Sequence, residues 1–467
     1  MEGRNLETLL KEAGGPLNLL RGNKIHRAKN PLTNPWHTMP CLVNAEWNGL
    51  VSEARAYRNA VAVVDLTHHM TNVSITGPDT IKFLNGIACN NLSKSVKDKV
   101  HHMVAVNKQG QLIGDGQLFH EAGDELIYVG VQFLSDWIMY QASITDCNIT
   151  ARLDERSPGY PNGRAHSRNF WRFHIQGPNG PALLEKVNGG RIDVNYFHGA
   201  DIKVGKYPGR ALQQNFTNSP IEIWGPFEDR DEVRAILLEE GREFGCVFSG
   251  QAAHKQLPVE TGWLPHPLPA IYTSEDTKGF REWLTDDGWE ASVNLRGSFS
   301  SDNIEDFYVT PYEIGMGKLV RFTPESGDFY GREALEAIDP TTRRKRAILE
   351  WNSDDLAELL NLLVHPGGEK YKFVDLSSGL RTFSSVYDKL TIDNKLAGIS
   401  HSSGFNTNER KFLSVGFVDY DLQIGDELVV HWGEAGGGVG DFEEKATEMF
   451  PIRVKIAPVP YPLTPIA

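Results

Sequence analysis

Within the proline-rich stretch His254 to Tyr272, ten residues hold an imidazole (His254), a carboxylate (Glu260) and an indole (Trp263). These types recognise a flat ligand with polar edges and move a proton beside it. Pro258, Pro265, Pro267 and Pro269 fix φ and remove backbone donors, which predicts a stiff, extended path, neither helix nor central strand. The same prolines suit a plain surface connection, where they lower the entropy of the unfolded chain. His254 is thus either a proton donor in a site or a surface residue beside Lys255. Asp115 lies in Gly110-Gln-Leu-Ile-Gly-Asp-Gly116, where flanking glycines let a ligand approach the backbone, although a turn-forming Asp reads the same way. The pairs His68-His69 and His101-His102 suggest metal at first sight. Adjacent histidines on an extended chain point opposite ways, and no carboxylate-spaced motif joins them, so no metal is assigned.

The elements that hold these residues form a repeat. Asn72 to Leu84 reads as strand, Gly77-Pro78, then helix, and Phe173 to Leu184 repeats the order around Gly177-Pro178, one hundred residues later. A proline at a helix start is apt because its missing N–H would be unbonded there. A third copy follows Ile221-Glu222-Ile223-Trp224 at Gly225-Pro226. Strands at Val61 to Asp65, Met103 to Asn107, Gly116 to Phe119 and Leu126 to Val131, and helices at Leu50 to Asn59 and around Trp137, complete the pattern. It indicates an α+β fold of duplicated strand-helix units with antiparallel sheets covered on one face. Upstream, Asn5 caps a short helix with Leu6, Leu9 and Leu10 on one face, and an irregular segment around Trp36 and His37 follows. From Thr341, alternating strands (Ala347 to Trp351, Leu413 to Val418, Glu427 to Trp432, Ile452 to Ile456) predict a small β-barrel or sandwich. The basic run Arg343 to Arg346 reads as a solvated face at the domain junction, and Gly436 to Gly440 as a hairpin tip rather than a phosphate loop. The expected organisation is an N-terminal arm (1–45), a central α+β domain (46–340) and a C-terminal β-barrel (341–467).

With 47 basic against 61 acidic residues the formal charge is -14, which argues against nucleic acid and anionic membrane as partners. Cys41, Cys89, Cys147 and Cys246 are widely spaced, so neither a disulfide framework nor a cysteine metal site is signalled, and a reduced cytoplasm is the expected compartment. The N-terminus lacks a signal-peptide pattern, and no stretch approaches the ~18 apolar residues of a membrane span.

Asp65-Leu66-Thr67-His68-His69-Met70, followed by the Gly77-Pro78 strand and helix, resembles the opening signature of the aminomethyltransferase (glycine-cleavage T-protein) family. Asn107 to Phe119, Pro220 to Trp224, Leu257 to Gly262 and Asn303 to Leu335 resemble later family segments in the same order. Arg156-Ser157-Pro158, Glu222 to Pro226, Leu268 to Thr273 and Pro458 to Tyr461 are similar to the tetrahydrofolate-dependent aromatic O-demethylases of vanillate, syringate, 3-O-methylgallate and dicamba. The resemblance implies a T-protein-like folate-binding domain followed by a β-barrel. It implies transfer of the methyl of an aryl methyl ether, a methoxybenzoate with dicamba-like compounds included, to N5 of tetrahydrofolate, in the catabolism of lignin-derived aromatics.

Carried onto this chain, the resemblance makes Glu222 the pterin carboxylate, Trp263 the wall of the ring system, and Asp115 a residue near folate N5. Outside the resemblance, Glu222 would be a solvent-facing strand residue and Trp263 plain core. His254 stands where the demethylases look to carry a tyrosine that handles the phenol proton, and an imidazole of near-neutral pKa can supply that proton. Leu66, His69, Val131 and Tyr272 are the implied substrate walls, with Val131 replacing an expected carboxylate-binding arginine. His69 also reads as a satisfied strand-end histidine. Gly114 replaces the first of two acids in the T-protein, which speaks against an amine donor. A sulfonium or amine donor, or a non-catalytic folate-binding assembly factor, are the alternatives. The last carries a cysteine that Asp328 to Glu333 lacks.

Overall fold

The computed structural model describes residues 5–22, 47–154, 168–213, 221–265, 267–286, 288–323, 327–339, 343–374, 376, 384–435 and 447–464. Most of the irregular arm, Arg156 to Pro158 and the glycine run at 436–440 lie outside them. The chain first supplies β1 (Val61–Asp65), β2 (Thr71–Thr76), β3 (Val100–Val106), β4 (Leu112–Ala122) and β5 (Glu125–Gly130). It continues with β6 (Thr150–Leu153), β7 (Phe170–Gln176), β8 (Gly199–Val204), β9 (Tyr207–Gln213), β10 (Ile221–Pro226) and β11 (Cys246–Ser249). These build two sheets, β3-β4-β5-β2-β6 and β11-β1-β7-β10-β9-β8. All pairs are antiparallel except β1 with β11.

Each sheet receives one copy of the repeat. β2 leads to the helix Thr80–Ile87, and β7 to the helix Gly180–Asn188. The Gly-Pro pairs form the turns before the helices rather than their first residues. Gly77 (φ 128) and Gly177 (φ 101) pass so close to neighbouring backbone that a Cβ would stand 2.5 Å from the Asn148 carbonyl oxygen and 2.4 Å from that of Ala60. At the third copy Gly225 lies inside β10, where a Cβ would meet the Trp171 ring at 2.8 Å, so this glycine makes room for an indole.

The helix Leu6–Glu12 is capped by Asn5, whose Oδ1 accepts from the Thr8 N–H at 2.9 Å, and it buries Leu6, Leu9 and Leu10. Those leucines join a core with Val73, Ile75, Trp137 and Phe280. In the same region the helix Gln132–Ile144 carries Asp136 against Glu290. The Thr71 hydroxyl donates to Gln132 (2.8 Å), whose amide donates to Asp136 (2.7 Å). Burial raises the Asp136 carboxyl to about 7 and Glu290 well above its usual range, so both carboxyls hold protons in mildly acidic solution. The folded state therefore holds more protons than the unfolded chain from about pH 4 up to at least pH 7, and stability is lost as pH rises through that window. Denaturation from pH 5 to 8 is expected to show this decline, and Asp136→Asn to reduce it. Equal slopes for variant and parent would sink the assignment.

Beyond β12 (Asn294–Arg296), the C-terminal part adds β13 (Lys345–Trp351), β14 (Ser384–Val386), β15 (Asp388–Ile392), β16 (Lys395–Asn406), β17 (Lys411–Val418), β18 (Glu427–Trp432) and β19 (Phe450–Ala457). Strands β13-β17-β16-β15-β18-β19 close into a barrel, while β12 and β14 pair in parallel outside it. Along β19, Ile452, Val454 and Ile456 turn inward and Pro451, Arg453 and Lys455 outward, the period-two pattern of a barrel wall. Trp351 fills the interior, its Nε1 donating to Ser414 Oγ at 3.0 Å. At the junction, Arg344 is a half-buried tie rather than a solvated charge. It bonds Glu313 (2.8 Å) and the Tyr308 carbonyl (2.8 Å).

The proline-rich stretch departs from expectation. It contains a helix, Gln256–Thr261, directly after the helical turn Gln251–His254. Pro258 falls in the first turn, where an absent N–H breaks no helical bond, so the proline is compatible with helix. This helix is clamped from both sides. Glu260 accepts from Arg58 (3.0 Å) and Asn406 (2.7 Å), and Gln256 accepts from the Thr407 N–H (3.2 Å). Val259 and Leu264 pack with Ile348, Val415 and Phe417 of the barrel.

Candidate active site

A cavity of about 210 Å³ opens between the two sheets. Leu66, His69 and Met70 reach it from the turn after β1, and His102 from β3. Asp115, Gly116 and Gln117 come from β4, and Val129, Gly130 and Val131 from the end of β5. β7 contributes Arg172, His174 and Gln176, and β10 contributes Glu222. His254, Leu257, Pro258, Thr261 and Trp263 close the wall on the clamped helical stretch. The cavity thus gathers His254, Asp115, Glu222, Trp263, His69, Leu66 and Val131.

Tyr272 is not among them. Its hydroxyl donates to the Glu290 carbonyl at 2.8 Å, its N–H donates to the Tyr308 hydroxyl at 3.2 Å, and its ring is core. The carboxylate of the stretch, Glu260, also turns away, into its clamp with Arg58 and Asn406.

Glu222 is buried and ion-paired with Arg172 on the neighbouring strand. Arg172 lies over the rings of Phe119 (5.0 Å) and Trp224 (5.8 Å), which hold the guanidinium in place. Burial pulls Arg172 down to about 9, still charged at neutral pH. A carboxylate so fixed accepts N–H donors from a flat ring edge without first having to be ordered.

Asp115 sits in a strand, register-paired with Val104, and not in a turn. Its neighbour Gly116 lines the cavity and also makes room for the Tyr128 ring. The Tyr128 ring occupies the space where Cβ atoms on Gly116 and Gly130 would stand, at 2.5 and 2.2 Å. The Tyr128 hydroxyl then donates to the Asp115 carbonyl at 3.1 Å, fixing the strand. Burial raises the Asp115 carboxyl to about 7. Near neutral pH it both gives and takes a proton.

His254 stands edge-on to His69 (6.1 Å between centroids) and to His174 (6.4 Å). Burial first, then the neighbouring His69, His174 and Lys255, hold His254 well below its ordinary value. Burial likewise takes His69, His174 and His102 to about 4. The near-neutral pKa expected of His254 is therefore corrected: with no ligand bound it is a neutral imidazole. Both histidine pairs do split. His101 bonds Ser95 (3.0 Å) while His102 lines the cavity, and His68 faces Phe227 while His69 lines it. Among the described residues no group of three or more His, Cys, Asp and Glu is placed to hold a metal ion.

Arg172, His174 and Gln176 were absent from the sequence expectation. Their signal is period two: in Phe170–Gln176 they alternate with Trp171, Phe173 and Ile175, which are core of the second sheet.

Residues 35–266 match the GCVT N-terminal domain. The chain is 29% identical to syringate O-demethylase of Sphingobium sp., over 98% of this chain and 96% of the relative. It is 25% identical to sesamin methylene transferase of Sinomonas sp., over 90% of each chain. An aminomethyltransferase of Streptomyces avermitilis is 24% identical over 61% of this chain and 64% of its own length. The fold is that of the glycine cleavage system aminomethyltransferase T of Bartonella henselae, with a TM-score of 0.58 at 15% identity over 88% of this chain and 89% of that one. In this chain the closed C-terminal barrel braces the helix that carries the cavity wall. Among the described residues no helix is long and apolar enough to cross a membrane.

Proposed function

We propose that this chain is a tetrahydrofolate-dependent O-demethylase of the aminomethyltransferase family. It moves the methyl group of an aryl methyl ether to N5 of tetrahydrofolate, releasing the phenol and 5-methyltetrahydrofolate. The observation that carries the reading is the convergence of Glu222, Asp115, His254 and Trp263 on one cavity. The residues present fit a reduced pterin: a buried, oriented carboxylate for its N–H edge, and Trp263, Leu257 and Pro258 as flat and apolar wall. When bound, tetrahydrofolate supplies the nucleophilic nitrogen that accepts the methyl group.

The chain's own residues supply position and protons. Glu222 fixes the ligand's orientation, which an in-line displacement requires. Asp115, at about 7, is matched to take the proton released at the accepting nitrogen. His254, neutral in the empty cavity, is the group that takes up a proton when substrate binds and delivers it to the departing aryl oxygen. The apolar walls Leu66, Val129 and Val131 keep water from the reacting centre. Against an amine donor, Gly114 offers no second acid beside Asp115, and a Cβ there would stand a tight 3.1 Å from the Leu134 Cβ. A methoxybenzoate, dicamba-like compounds included, is the donor class proposed, and the reduced cytoplasm the compartment.

The purified protein, incubated anaerobically with tetrahydrofolate and methyl-labelled methoxybenzoates including dicamba, is expected to place the label on 5-methyltetrahydrofolate. Absence of label on the folate across the whole panel ends the reading.

A further inference from the structure

Three imidazoles line the cavity, with His174 directly across the strand pair from Glu222 and the Gln176 amide donating to its Nδ1 at 3.0 Å. His69 comes from the turn after β1, His174 from β7 and His254 from the helical turn before the clamped helix, and all three line one volume. His254 is edge-on to both others, and its buried Nδ1 has no hydrogen-bond partner among the described residues. Arg172 is the one permanent cation among the described residues lining the cavity, and Glu222 already engages it. Lys255, next in the chain to His254, acts on His69 and His254 through space, while Asp115, Glu222 and His102 complete the titratable lining. A carboxylate on the aryl ring thus meets no uncommitted cation among the cavity-lining residues described. An unpaired charge in a closed cavity is strongly unfavourable.

We propose that the His69–His174–His254 cluster is an anion subsite, and that the aryl carboxylate of the substrate binds there together with one proton taken from solvent onto an imidazole. The identity of the ligand rests on the O-demethylase reading. Geometry supplies the three rings around one space, and burial explains why the proton must arrive with the ligand: the rings are neutral when the cavity is empty. The solvent proton joins an imidazole lone pair, and no other bond changes on binding. That proton is then in place for the chemistry. As the methyl–oxygen bond breaks, its electron pair stays on the aryl oxygen, the methyl carbon joins the acceptor nitrogen, whose own proton passes to Asp115, and the imidazolium N–H passes to the oxygen when that oxygen lies ortho to the bound carboxylate. The cluster is left neutral again.

The test is calorimetry on the unmodified protein without folate, so that no transfer occurs. The probes are 2-, 3- and 4-methoxybenzoate and the uncharged methoxybenzamides. Titrations in phosphate and in Tris at pH 7.5 are expected to show about one proton taken up per methoxybenzoate bound, and none per benzamide. The methoxybenzoate dissociation constant is expected to rise about tenfold per pH unit from 6 to 8. His254→Phe is expected to lose most of the uptake and at least tenfold in methoxybenzoate affinity, with benzamide affinity unchanged. Zero uptake with a pH-independent dissociation constant, or no methoxybenzoate binding at all, overturns the subsite. The label-transfer assay reports separately on the parent reading: transfer without uptake sinks only the subsite, and uptake without transfer sinks only the O-demethylase assignment.

Discussion

His254→Phe is expected to lower kcat for methyl transfer by ~10²- to 10⁴-fold, the range typical of general acid catalysis, while tetrahydrofolate binds as tightly as before. A phenyl ring keeps the flat volume that lies edge-on to His69 and His174 and removes both nitrogens. Loss of turnover therefore reports the proton and not the packing. An aryloxide expelled into an apolar cavity without a proton leaves an uncompensated charge, and the barrier rises accordingly. Steady-state kinetics at saturating substrate, beside a folate titration and a thermal melt, checks the expectation. Unchanged kcat would move the acid role to Asp115, the other cavity group that burial brings near neutrality. Weakened folate binding in the same variant would instead show that the ring is structural.

The sequence exposed those features that local chemistry decides. Gly77 and Gly177 mark the strand-helix repeat because only glycine tolerates a carbonyl so close to its Cα. The barrel strands showed through because a closed wall enforces inward and outward alternation, as along β19. Cavity-lining residues were legible where their neighbours in sequence resemble a family segment, as for Glu222, Trp263 and His254. What stayed hidden depends on partners far along the chain. Pro258 suggested an extended path, yet Arg58 and Asn406 hold Glu260 and force the helix from both sides. Tyr272 looked like a pocket wall, and its hydroxyl instead found the Glu290 carbonyl. The glycines beside Asp115 suggested an approaching ligand, and each also makes room for a distant side chain, Gly114 for Leu134 and Gly116 for Tyr128. Arg172 was invisible as a site residue because its role depends on the register that sets β7 beside β10, with Glu222 opposite His174 and Arg172 one step along the strand.

That register also decides how Glu222 should be tested. Glu222→Gln is expected to raise the tetrahydrofolate dissociation constant by about 10- to 100-fold, since hydrogen bonds to a charged group contribute ~1.5–3 kcal/mol over neutral surroundings. The amide keeps an oxygen for Arg172 but not the counter-charge, so the melting temperature should fall less than in Glu222→Ala. Glu222→Ala is a poorer probe, because it strands the guanidinium between Phe119 and Trp224, and breaking a buried pair from one side destabilises by ~3–5 kcal/mol. Its loss of folate binding would then be confounded by unfolding. Arg172→Met combined with Glu222→Leu removes both charges at once. Such replacements are often neutral for stability, so this double variant should fold near the parent melting temperature and still fail to bind folate. Quenching of Trp263 and the other indoles on folate titration, read beside thermal denaturation, separates the two effects. Parental folate affinity in a folded Glu222→Gln protein would mean that the pterin edge is recognised elsewhere, and that the Arg172–Glu222 pair is there only to join β7 to β10.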